Sequence, residues 1–240
     1  MSRKAPRRRR KNIRWQLLLS VLAVIVVITA GASFLIQRNG ATSSTTGKPV
    51  ILYVNQGNAL VSVNNFTALA AFSQSNGFNT IFFQVYRSGN LIFSISNLTY
   101  FVTTAHSEGL KIFFSLYFTA PGQQIPSSIY SLNEDGISLD MSTLSDSSQA
   151  NLLSTLQHGY VQGETAVTTT NFTTDLRPDL LILETYGTGD QPFIHHGIIG
   201  SVEPYMLSSK QEYTSQFQYA LQNSDGVMVF DYYGLLKTGY

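Results

Sequence analysis

From Pro49 onward, short β-branched and aromatic runs alternate with more polar spacers along the chain. The runs are Val50–Val54, Thr80–Tyr86, Leu110–Tyr117, Gly136–Leu139, Thr165–Thr170, Leu180–Leu183, Gly197–Val202 and Val227–Phe230. Runs of that length and composition predict β-strands. The spacers Thr67–Asn76 and Leu98–Glu108 end at Gly77 and Gly109, the residue type that stops a helix. Ser147–Gln157 and Ser208–Gln222 also carry apolar positions at helical spacing.

Eight strands separated by helical spacers is the number that closes a parallel barrel. The expected fold is therefore α/β, a small (β/α)8 TIM-like barrel over residues 49–240. Its helical ring should be incomplete. Only about a dozen residues separate the sixth run from the seventh, and the stretch after Phe230 is too short for a closing helix. An open doubly wound sheet is the alternative, because both folds bury strands on two faces and Phe82, Phe83, Phe113 and Phe114 suit either.

Ahead of this domain the pattern changes. Trp15 to Ile36 is an uncharged apolar stretch, preceded by eight of the fifteen basic residues. About 20 apolar residues span a bilayer and cationic flanks stay inside, so the expectation is one transmembrane helix over 15–36 with a cytoplasmic tail over 1–14. A cleaved export signal has an apolar core of roughly 7 to 15 residues, shorter than this one. Residues 37–48, rich in Gly, Ser and Thr, read as a linker. Either way the domain beyond is expected outside the cell.

Charge sharpens the division. Beyond position 40 six basic residues face fourteen acidic ones, a net of −8, whereas the whole chain is near neutral at +1. Such a domain lacks the basic footprint that nucleic acid requires, while the basic tail suits anionic lipid of the inner leaflet. With no cysteine, stability must come from a packed core. Three sequons, at Asn65, Asn97 and Asn171, are candidate glycosylation sites on an exported surface.

In a parallel barrel, chemistry gathers where strands end. Asp140, Glu184 and Asp231 each follow a predicted strand directly. Carboxylates crowded on one rim raise one another's pKa, and glycoside cleavage needs one protonated and one ionised carboxyl. Tyr53, Asn55, Gln84, Tyr86, Arg87, Tyr117, Tyr186, Tyr232 and Tyr233 fall at the same ends. Aromatic rings stack on sugar faces and amides bond sugar hydroxyls, so these are candidate substrate-binding residues for a carbohydrate.

Several of these segments resemble a known group. Asp135-Gly-Ile-Ser-Leu-Asp140 is similar to the fourth-strand Asp-Gly-φ-x-φ-Asp motif (φ apolar) of TIM-barrel glycoside hydrolases, and Gly77–Val85 to a second strand of such barrels. Asn171–Glu184 resembles the fifth-to-sixth strand region of endo-α-1,4-polygalactosaminidases. The resemblance implies a catalytic pair of Asp140 and Glu184. Chitinase-type enzymes carry a Glu where Ser142 stands and an Asp where Ser138 stands, so a chitinase mechanism is not expected. A non-catalytic glycan-binding or structural envelope protein is the alternative.

His195-His196 precedes the seventh run and Glu203 follows it. Adjacent histidines on a strand face opposite ways, so no metal site is expected. No cofactor is expected either: the sequence has no Gly-rich phosphate loop, no Gly-x-Ser-x-Gly elbow and no cysteine nucleophile.

Overall fold

The computed structural model describes residues 47–55, 65–170, 175–184 and 194–240. The expected transmembrane helix, Asn171 and Tyr186 lie outside these residues. Among the described residues no helix is long and apolar enough to cross a membrane.

Among the described residues nine strands form one sheet: β1 Val50–Val54, β2 Thr80–Arg87, β3 Asn90–Leu91, β4 Lys111–Tyr117, β5 Gly136–Asp140, β6 Glu164–Thr169, β7 Leu180–Leu183, β8 Ile199–Val202 and β9 Val227–Phe230. β1 pairs in parallel with both β2 and β9, so the sheet closes. The fold is a closed eight-stranded parallel barrel, and the open-sheet alternative is excluded. The ninth strand, β3, is a two-residue antiparallel return on β2 that the hydrophobic pattern does not show.

Among the described residues five α-helices surround it: α1 Phe66–Ser75, α2 Ile95–Ser107, α3 Asp146–Gly159, α4 Lys210–Asn223 and α5 Tyr232–Thr238. Gly77 and Gly109 follow the C-caps of α1 and α2 at φ of 82° and 72°, the left-handed conformation glycine adopts without strain. The expectation that nothing follows the last strand is corrected by α5. Its seven residues are started by Asp231, whose side chain accepts the Gly234 backbone N–H. A capping carboxylate compensates for the shortness that made the segment look non-helical.

Strand alternation divides the core in two. Outward side chains such as Leu52, Phe83, Phe114, Leu139 and Val229 pack under the helices. Inward ones, Ile51, Tyr53, Phe82, Phe113, Ala166, Ile182, Ile199 and Met228, fill the barrel. Phe82 and Phe113 stack with ring centroids 4.8 Å apart, in register on paired strands. Nearer the C-terminal ends of the strands, Gln84, Ser115, Ser138, Asp140, Thr168 and Ser201 are also buried. An apolar floor thus supports a polar upper half.

Candidate active site

The polar half opens into a cavity of about 230 Å³ lined by Tyr53, Asn55, Gln84, Arg87, Tyr117, Asp140, Ser142, Glu184 and Phe230. Each comes from a strand end because side chains there clear the packed floor. Asp140 closes β5 and pairs in register with Tyr117 on one side and Thr168 on the other. Glu184 follows β7, its backbone N–H donating to the Thr169 carbonyl at 3.0 Å. One strand, β6, therefore separates the two carboxylates, and both face the same space.

Asp140 is held on several sides. The Tyr53 hydroxyl donates to its Oδ2 at 3.3 Å and shares a 3.2 Å hydrogen bond with the Ser115 hydroxyl. Ser142 Oγ donates to its Oδ1 at 3.4 Å. The Tyr53 ring is itself fixed against Phe230, 4.8 Å between centroids. Burial, and then the charge of Glu184, push the Asp140 carboxyl up to about 7, against the opposing hydrogen bonds. Arg87 stands over the Tyr117 ring at 5.5 Å and brings a cation to the cavity lining.

A fourth strand-end carboxylate joins the group. Glu203 follows β8, is buried, and is pushed up to about 7 by burial, then by the charges of Asp231 and Glu184. The strand-end rule that singles out Asp140, Glu184 and Asp231 finds Glu203 equally when applied to Gly197–Val202. His195 and His196 lie at the opposite end of β8 from Glu203, with His196 Nδ1 3.1 Å from Asp225 Oδ1. Among the described residues no group of three or more His, Asp or Glu could hold a metal ion.

Two expected substrate-binding residues are elsewhere. The register of β2 against β4 shifts between Gln84 and Tyr86, and this irregularity turns Tyr86 outward into the core beneath the helices. Its hydroxyl donates to the Gln124 carbonyl at 2.9 Å. Tyr232 is the first residue of α5 and packs edge-on against Phe72 of α1. Asp231 is at the expected end of the barrel, but one of its oxygens serves as the α5 cap. Asn65 precedes α1 and Asn97 lies in the first turn of α2, both partly exposed.

The buried carboxyls set a pH dependence. Asp140 titrates near 7 in the folded chain and near 3.8 unfolded, so the stabilisation is full below the lower value and is lost as pH rises through 7. Three units correspond to roughly 4 kcal/mol at most. Urea unfolding should therefore show a lower midpoint at pH 8 than at pH 5, with the difference reduced in Asp140→Asn. A midpoint that rises toward pH 8 would contradict the burial argument.

No protein-family model and no curated protein matches this sequence. Solved structures do match in fold. An endo-1,4-β-mannanase from Eisenia fetida superposes with a TM-score of 0.56 at 11% identity, over 78% of this chain and 86% of that one. The xylanase–α-amylase inhibitor protein XAIP-I, solved with trehalose, gives 0.53 at 11% identity over 81% and 96%. CpGH84B gives 0.55 at 6% identity over 76% of this chain and 44% of that one, so this chain spans less than half of its length. The described domain shares the TIM-barrel fold of these structures.

Proposed function

We propose that this barrel is the extracellular domain of a membrane-anchored glycoside hydrolase acting on polysaccharide or envelope glycan. The observation that carries the reading is one cavity lined by Asp140 and Glu184 together. In it Asp140, pushed up to about 7, retains a proton near neutrality and is the general acid. Glu184 is the ionised partner, base or nucleophile according to the gap between the two carboxyls. The Tyr53 and Ser142 hydroxyls fix the orientation of Asp140. Tyr117 and Phe230 offer ring faces to a sugar, while Asn55, Gln84 and Arg87 offer donors to its hydroxyls.

The pair comes from the fourth and sixth barrel strands, the positions implied by the resemblance to endo-α-1,4-polygalactosaminidases. An α-1,4-galactosaminan therefore belongs in the first substrate panel, beside mannan, chitin and xylan. Full-length chain in detergent should release reducing ends from at least one of them. Release from none would remove the hydrolase reading.

The anchoring half rests on the eight basic residues ahead of Trp15–Ile36. Protease added to intact cells should degrade the barrel and spare the basic tail; the reverse pattern would remove the extracellular assignment. The expected partners are thus carbohydrate outside and anionic lipid inside.

A second reading, a barrel that binds glycan without cleaving it, is favoured by Ser138 and Ser142 at two positions where chitinase-type barrels carry acids. The use of Asp231 as a helix cap favours it too. It predicts saturable glycan binding with no release of reducing ends.

A further inference from the structure

We propose that Tyr205 and Tyr233, with Met206 and Leu236, form a stacking platform for additional sugar units of a polymeric ligand whose leading unit sits in the Asp140–Glu184 cavity. This inference rests on the glycan reading above.

Four large apolar side chains are left 42–59% exposed on two short elements: Tyr205 and Met206 on the single turn Pro204–Met206, and Tyr233 and Leu236 on α5. Both elements begin at a buried carboxylate of the rim. Tyr205 follows Glu203 by two residues and Tyr233 follows Asp231 by two. Two residues of chain reach at most about 7 Å, so both tyrosines have their backbone beside the carboxylate cluster.

The two elements also meet. A Cβ built on Gly234 would stand 2.8 Å from Tyr205 Cδ1 and 3.5 Å from Asp231 Oδ1, which seats the Tyr205 ring over the first turn of α5 beside that carboxylate. The absence of a side chain at Gly234 is what admits the ring. Tyr233 and Leu236 are three residues apart and share one helix face. The Met206 backbone N–H donates to the Glu203 carbonyl at 3.1 Å, which ties the turn to the end of β8. The patch is thus contiguous with the rim and fixed to it.

Size and chemistry select the occupant. A cavity of about 230 Å³ is below the roughly 300–1,000 Å³ of pockets that enclose drug-sized ligands. It has room for about one sugar ring, so further units of any longer chain must rest on the rim. The four patch residues carry no charge, so they would hold a ligand through apolar faces and hydroxyls rather than through an ion pair. Tyrosine offers an apolar face with a hydroxyl at its edge, matching a sugar ring with one apolar face and a polar perimeter.

The test is calorimetric titration of the full-length chain with oligosaccharides of one to six units, in galactosamine, N-acetylglucosamine and mannose series. Wild type should bind longer chains of one series progressively more tightly. Tyr205→Ala/Tyr233→Ala should lose at least fivefold in affinity for four to six units, leave single sugars unchanged, and regain affinity when both are Phe. Thermal melting checks that the fold is intact.

Unchanged length dependence in the double variant, while Asp140→Asn still alters binding, would overturn the platform alone. A wild-type dimer that the double variant dissociates without loss of glycan affinity would overturn it in favour of self-association. Failure of wild type to bind any series would remove both the platform and the glycan reading.

Discussion

Replacing Gly136 by alanine is expected to destabilise the barrel by about 3 kcal/mol or more, the upper range for overfilling a packed interior. Gly136 opens β5 and is paired in register with Phe113 and Glu164 on its two neighbours. A Cβ there would stand 2.2 Å from Phe113 Cε1 and 2.6 Å from the Glu164 backbone oxygen. The first obstacle is a ring already stacked on Phe82, and the second is a sheet carbonyl, so neither yields without moving a strand. Urea unfolding measures the loss. A second change, Phe113→Leu, should recover part of it by relieving the ring contact. Wild-type stability in Gly136→Ala would show that the apolar floor is not close-packed.

How far the sequence carries the fold depends on where the energy lies. Eight runs appear as barrel strands within a residue or two of their expected ends, because β-branched and aromatic segments buried on both faces leave a continuous signal. The helix stops at Gly77 and Gly109 are legible for the same local reason. What escapes is set by neighbours. Tyr86 belongs to the expected cavity by alternation, and only the shifted pairing with β4 moves it out. Helix α5 depends on a cap donated by Asp231, a residue whose position after β9 advertises chemistry rather than structure.

The site divides similarly. Asp140 and Glu184 follow from counting strand ends, since the end of a barrel strand is a fixed place. Glu203 obeys the same rule but is hidden beside two histidines that the strand length carries to the other end of the barrel. The supports of Asp140 are legible only in part: Tyr53 is among the residues expected at the rim, but its hydrogen bond to Asp140 and the part played by Ser115 are not. Tyr53 is distant in sequence from both Asp140 and Ser115, and its hydroxyl reaches the two only because β1, β4 and β5 share one interior.

Asp140→Asn removes the proton that would pass to the leaving oxygen, and Glu184→Gln removes the carboxylate that would receive charge or activate water. Each should lower the hydrolysis rate roughly 10³-fold or more, given what a positioned acid, base or nucleophile contributes. Both changes keep side-chain volume, and Asp140→Asn replaces a carboxyl that keeps its proton near neutrality with a neutral amide, so folding should survive at neutral pH. The decisive measurement is the initial rate of reducing-end release from the panel glycan that wild type cleaves, for wild type, Asp140→Asn and Glu184→Gln, with thermal melts alongside. The account predicts near-complete loss in both variants with melting temperatures at or above wild type; a wild-type rate in either folded variant would contradict it.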